Sequence, residues 1–157
     1  MISPRNLWNE ANAAAITSEE LLRIMKAYSN MGLTLYVGSD SMLNSNYCTF
    51  SCIVAVHSND MGIANYYFQK QKLYEERYRQ LENKILKEIE ISINTAGFLK
   101  TNIPESIIEV HLDIGDKDRN ATRHLVDNAK GWVSGMGYCV RIKPDSWAAS
   151  VADWHTK

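Results

Sequence analysis

Four carboxylates, Asp40, Glu82, Asp113 and Asp153, stand where an acid is costly unless something pairs with it. Asp113 ends the apolar run from Ile107 and is followed closely by Gly115, and Asp40 ends the run LTLYVGS. Glu82 falls on the apolar stripe of a helical pattern, and Asp153 lies in the small-residue segment WAASVAD. A carboxylate at the mouth of a buried element needs a partner, and a divalent cation is one such partner. Oxygen donors of this kind suit Mg²⁺ or Mn²⁺ rather than zinc. Two such ions about 4 Å apart activate a water and stabilise the leaving oxygen of a phosphodiester during in-line displacement. The four acids are therefore candidate catalytic and metal-ligating residues, with Mg²⁺ or Mn²⁺ (two ions) as the implied cofactor.

Around them lie supporting candidates. His111 is two residues before Asp113 on the same strand face, where it can donate a hydrogen bond to a metal ligand; a satisfied core histidine is the plainer reading. Lys117, Arg119, Arg123 and Lys143 follow the proposed acid cluster closely and can meet substrate phosphates, against the alternative of scattered surface charge. Other chemistries lack local support: no GxxxxGK[ST] loop, GxGxxG, GxSxG or HExxH occurs. The three cysteines include no CxxC pair, which argues against a zinc ribbon or a disulfide framework.

These acids require particular elements to bring them together. Thr17 with Glu20 has capping-box spacing, so a helix is expected over about 18–28, with Gly32 as its stop. Leu33 to Ser39 alternates as a strand that ends at Asp40; Tyr47 to Val56 reads as a strand covered on both faces, and Ile63 to Phe68 completes an antiparallel meander. Tyr74 to Phe98 reads as a long helix. Its stripe of Tyr78, Leu81, Ile85, Leu86, Ile89, Ile93 and Ala96 places Glu82 near the centre, Glu88 toward the edge, and Glu76 and Glu90 away. In the strand from Ile107 to Ile114, Glu109, His111 and Asp113 point opposite to Ile108, Val110, Leu112 and Ile114. A helix capped near Asn120, a short strand over 138–142 and a last helix after Pro144 follow. Trp132, Trp147 and Trp154 read as packing residues.

The resulting pattern is an α/β domain with a mixed sheet and helices on both faces, residues 1–157 forming one domain with 1–30 as an N-terminal arm and helix. The chain holds 17 basic and 18 acidic residues for a net charge of −1, so no global field favours nucleic acid and any such contact must be local. No apolar run reaches membrane-spanning length, and a cytoplasmic location is expected.

The motifs YVGSDS (Tyr36 to Ser41), RQLENKI around Glu82, HLDIG with RNAT, and KPDSWAASVAD (Lys143 to Asp153) together resemble the YkuK family of ribonuclease H-like proteins. Ser39 stands where that family usually has threonine, and Asn83 where threonine often follows the glutamate. The resemblance implies a five-stranded mixed sheet of order 3-2-1-4-5 and a two-metal acid cluster, carried here by Asp40, Asp113, Asp153 and Glu82. The expected function is a metal-dependent nuclease acting on RNA, DNA or an RNA/DNA hybrid. The alternative is a non-catalytic ribonuclease H-like adaptor that binds nucleic acid or protein.

Overall fold

The computed structural model describes residues 7–10, 14–115 and 123–157. In chain order its elements are β1 (Leu7–Glu10), β2 (Ile16–Thr17), α1 (Ser18–Asn30), β3 (Leu35–Leu43), β4 (Cys48–Ser58), β5 (Ile63–Leu73), α2 (Leu81–Asn102), β6 (Ile108–Gly115), α3 (Arg123–Gly135), β7 (Cys139–Lys143) and α4 (Trp147–Asp153). The strands form one sheet in the order β2-β1-β5-β4-β3-β6-β7. Without the two short N-terminal strands this is the expected 3-2-1-4-5 order. β3, β4 and β5 are an antiparallel meander, and β6 and β7 join parallel to the other side of β3.

The N-terminal segment adds strands that its sequence does not announce. β1 and β2 are four and two residues long, too short to show an alternating period. β1 pairs with the outer edge of β5, and Trp8 is buried with its indole N–H donating to Ser18 Oγ at 2.9 Å. α1 begins as its capping box requires: the Thr17 hydroxyl accepts from the Glu20 backbone N–H at 3.1 Å.

Two layers cover the sheet unequally. Residues of α1, α2 and α3, including Met25, Ile89, Leu99 and Val133, pack with Val37, Val54 and Val110 in the main core. The opposite face carries the short α4, whose Ala148 and Ala152 pack on Ile53 and Ala55. Gly38 makes that contact possible. A Cβ there would lie 2.5 Å from the Ala148 carbonyl carbon and 2.6 Å from the Ala149 nitrogen, so backbone meets backbone.

The helix expected from Tyr74 begins at Leu81 instead, preceded by a 3₁₀ turn over Glu76–Arg79. Tyr78 is buried, but against Phe50 at 5.1 Å between ring centroids rather than on the stripe of α2. The inward side of α2 is Ile85, Glu88, Ile89, Ser92, Ile93, Thr95, Ala96 and Leu99. Leu81 and Leu86 are exposed. No helix among the described residues is long and apolar enough to cross a membrane.

Candidate acid cluster at the ends of two parallel strands

The parallel ladder between β3 and β6 pairs Leu35 with Ile108 and continues to Gly38 with His111. Asp40 and Asp113 each lie two residues beyond that last pair, so the period of two puts both on the α4 face just past the parallel ladder. β3 does not end at Asp40 as expected: it runs on to Leu43, paired antiparallel with β4. Open α/β sheets place their sites at the carboxyl ends of their strands. Asp113 also sits where the β6–β7 register shifts between His111 and Gly115, an irregularity of the kind that re-aims side chains.

Asp153 arrives from the last turn of α4, its carboxyl within hydrogen-bonding reach of Asp40. Seven residues are too few for a helix that stands alone. Besides the close approach at Gly38, α4 is held by His111, whose Nδ1 accepts the Ala148 backbone N–H at 3.0 Å. That acceptor role fixes the proton on Nε2, which donates to Glu109 Oε1 at 2.9 Å. Arg141 in turn reaches Glu109 at 3.2 Å. Burial, the largest influence, lowers the His111 pKa. His111 thus acts on the cluster by anchoring the helix that carries Asp153.

The fourth acid of the cluster is Glu88, and Glu82 is elsewhere. Glu82 lies in the exposed first turn of α2, its Oε1 3.7 Å from His124 Nε2. The expectation for Glu82 rested on a stripe counted from Tyr78, and the break before Leu81 removes that phase reference. Glu88 is 6% exposed and accepts a hydrogen bond from the Ser41 hydroxyl. Lys84, one turn earlier, lies 3.7 Å from Glu88 Oε1 and donates to Ser41 Oγ at 3.0 Å and to the Ser41 carbonyl at 3.1 Å. Ser39 donates to the Glu88 carbonyl at 2.7 Å and shares a 2.7 Å contact with Ser92 Oγ. The available signal was this polar stripe, in which Glu88 and Ser92 meet the hydroxyls of Ser39 and Ser41 in GSDS and Thr95 meets Cys52 of β4.

The electrostatics are those of crowded acids. Asp40 is pushed up to about 8, first by burial, then by Glu88, with Asp153 and Asp113 adding to it and the Ser41 backbone N–H opposing. Glu88 is pushed up to about 7, again first by burial, with the Ser41 hydroxyl and Lys84 opposing and Asp113 adding. Lys143 lies 3.4 Å from Asp113 Oδ1 and so pairs with a cluster acid. Arg123 is the first residue of α3, whereas Lys117 and Arg119 lie outside the described residues.

Among the described residues, no three His, Cys, Asp or Glu side chains are gathered tightly enough to enclose an ion as they stand. The donor chemistry nevertheless fits a hard divalent cation: the four acids offer oxygen only, and two lysines already pair with members of the cluster, Lys84 with Glu88 and Lys143 with Asp113. A separate cavity of about 440 Å³ lies between α2 and β4–β5, lined by Cys52, Thr95, Lys87 and Glu90. Cys52 points to the α2 face of the sheet and its neighbour Ser51 to the Asp40 face, so that cavity lies across the sheet from Asp40, and none of the four acids lines it.

Comparison with known proteins agrees with the fold. A relative, the uncharacterized protein YkuK of Bacillus subtilis (strain 168), is 28% identical over 171 aligned residues, covering 96% of this chain and 97% of the relative. The family model described as ribonuclease H-like matches residues 17–157, from the cap of α1 through β3, β6 and α4. With that match spanning nearly the whole chain, and with its sheet order and strand-end acids, the chain belongs to the ribonuclease H-like family.

Proposed function

We propose that this chain is a metal-dependent nuclease that hydrolyses phosphodiesters of RNA, DNA or a hybrid, with Asp40, Glu88, Asp113 and Asp153 holding two Mg²⁺ or Mn²⁺ ions. The observation that carries the reading is the convergence of four acids from β3, α2, β6 and α4, two of which, Asp40 and Glu88, are held well above ordinary carboxylate values first by burial and then by neighbouring acids. Such crowding is poorly explained by stability, since like charges drawn out of water cost free energy unless a cation joins them.

When bound, the ions supply an activated water and neutralise charge on the leaving oxygen. The protein's own contribution is position. Lys84 and the Ser41 hydroxyl fix the Glu88 carboxylate, while the parallel ladder fixes Asp40 relative to Asp113. His111 holds the helix that brings Asp153 in. Lys143 is exposed enough to exchange Asp113 for a substrate phosphate. Glu82, lying outside the cluster, has no ligand role in this reading, and a cytoplasmic location accompanies it.

A gel assay of single-stranded, duplex and hybrid oligonucleotides with Mg²⁺ or Mn²⁺ tests the proposal. The expected result is cleavage that disappears in Asp40→Asn and Asp113→Asn; every substrate intact would overturn it. One observation favours the adaptor instead: Lys84 and Lys143 already occupy two acids, so a folded cluster needs no ion. Calorimetry with Mn²⁺ separates the two, because the enzyme must bind ions in this cluster and an adaptor need not.

A further inference from the structure

The face of the sheet that bears Asp40 does not end at the acids. Antiparallel pairing places Ser51 opposite Asp40 and Lys70 opposite Ser51; two residues further on, Thr49 is opposite Met42 and Lys72 opposite Thr49. Since alternate residues share a face, Lys72 stands on the same side as Asp40. Two strand spacings across and one two-residue step along put their Cα atoms about 12 Å apart. There Lys72 Nζ lies 4.8 Å from the centroid of the Tyr47 ring, and the Tyr47 and Tyr74 rings are 5.5 Å apart. Tyr74 is 68% exposed. Nearby in the chain, Arg79 donates to the Ser45 carbonyl, which ties the β3–β4 hairpin to the turn before α2, and Arg77 takes up the charge of Glu75 at 2.5 Å while lying over the Tyr78 ring.

Exposed ring faces beside ammonium and guanidinium groups are the components that recognise unpaired nucleotides, by stacking on a base and attracting its phosphate. Bases inside a duplex are stacked on each other and present no free face to such rings. Resting on the phosphodiesterase reading of the acid cluster, we propose that Tyr47, Lys72 and Tyr74 form a platform for an unpaired nucleotide. It makes a single-stranded nucleic acid, RNA or DNA, the substrate class led to Asp40. The charge suits the occupant, since the patch is basic on a chain of net charge −1, and it is continuous with the site through the Asp40 face.

The test reads binding apart from cleavage. Oligothymidylate and oligouridylate of about 16 nucleotides, and a blunt duplex of equal length, are titrated by fluorescence anisotropy against the Asp40→Asn protein. Single strands are expected to bind at least roughly tenfold more tightly than the duplex, with Tyr74→Ala and Lys72→Ala each weakening them by roughly tenfold and Tyr74→Phe leaving them unchanged. Equal or tighter duplex binding, or a Tyr74→Ala variant that lowers the melting temperature without changing affinity, would overturn the platform. Failure of the hydrolysis reading looks different: wild-type protein with Mn²⁺ would leave every strand intact while this binding preference persisted.

Discussion

At the scale of single residues the account turns on which glutamate serves the cluster. Glu88 is buried and tied to Ser41 and Lys84, whereas Glu82 faces His124 at the surface. Glu88→Gln is expected to weaken Mn²⁺ binding and cleavage by roughly 100-fold, as loss of a metal-site carboxylate or its support does, and Glu82→Gln to leave both within about twofold. Parallel calorimetry and initial-rate assays of the two variants check this, and equal effects would restore Glu82. The raised Asp40 and Glu88 carboxyls also set a pH dependence. Their folded-state values, about 8 and about 7, lie above the ordinary range, so their contribution to stability is full below about pH 4 and is lost as pH rises through 7 and 8. Without divalent ions the melting temperature is expected to fall by several degrees between pH 5 and 8 on this account. Added Mn²⁺ should reverse the fall at pH 8, and Asp40→Asn should flatten it. A thermal melt series over pH, with and without the ion, measures both.

At the scale of elements, β3, β6 and α4 decide whether the acids meet. Gly38→Ala would drive a methyl into the α4 backbone, so it is expected to cost about 1–3 kcal/mol and to displace Asp153. His111→Phe removes the acceptor for the Ala148 N–H and is expected to cost about 1–3 kcal/mol as that buried donor loses its partner. Denaturant titration gives both numbers; cleavage should fall further than the stability loss alone explains, because α4 moves. Asp40 and Asp113 were legible in the sequence because an apolar, alternating run that meets an acid is a local pattern, although β3 runs past Asp40 to Leu43 instead of ending there. The parallel pairing of their strands followed from element order alone. Glu88 was not legible, because its assignment depended on where α2 starts. The residues from Tyr74 to Gln80 contain a buried tyrosine at helical spacing, yet they form an extended approach and a 3₁₀ turn. Glu82 thereby falls in the exposed first turn of α2, and the buried face takes in Glu88, Ser92 and Thr95 where the apolar count had placed Leu81 and Leu86. The strands β1 and β2 were hidden for another reason: they are too short to carry a pattern and exist through pairing with β5 and the anchoring of Trp8.

At the scale of the whole molecule, one sheet separates two tasks. Its α2 face carries most of the apolar core, which leaves the α4 face thinly covered and free to display charge at the strand ends. A near-neutral net charge provides no long-range pull on a polyanion, so the proposed recognition is local, in Lys143 and the cationic and aromatic edge of the same face. Raising ionic strength is accordingly expected to weaken substrate binding with a shallow slope, of about one to three released counterions, measurable from a log–log plot of affinity against salt. The most direct measurement of the central claim is cleavage of defined oligonucleotides in Mn²⁺ by wild-type protein and by Asp40→Asn, purified side by side. Strand scission by the wild type that vanishes in the variant is the predicted result; intact substrates with both proteins, or equal cleavage by both, would contradict it.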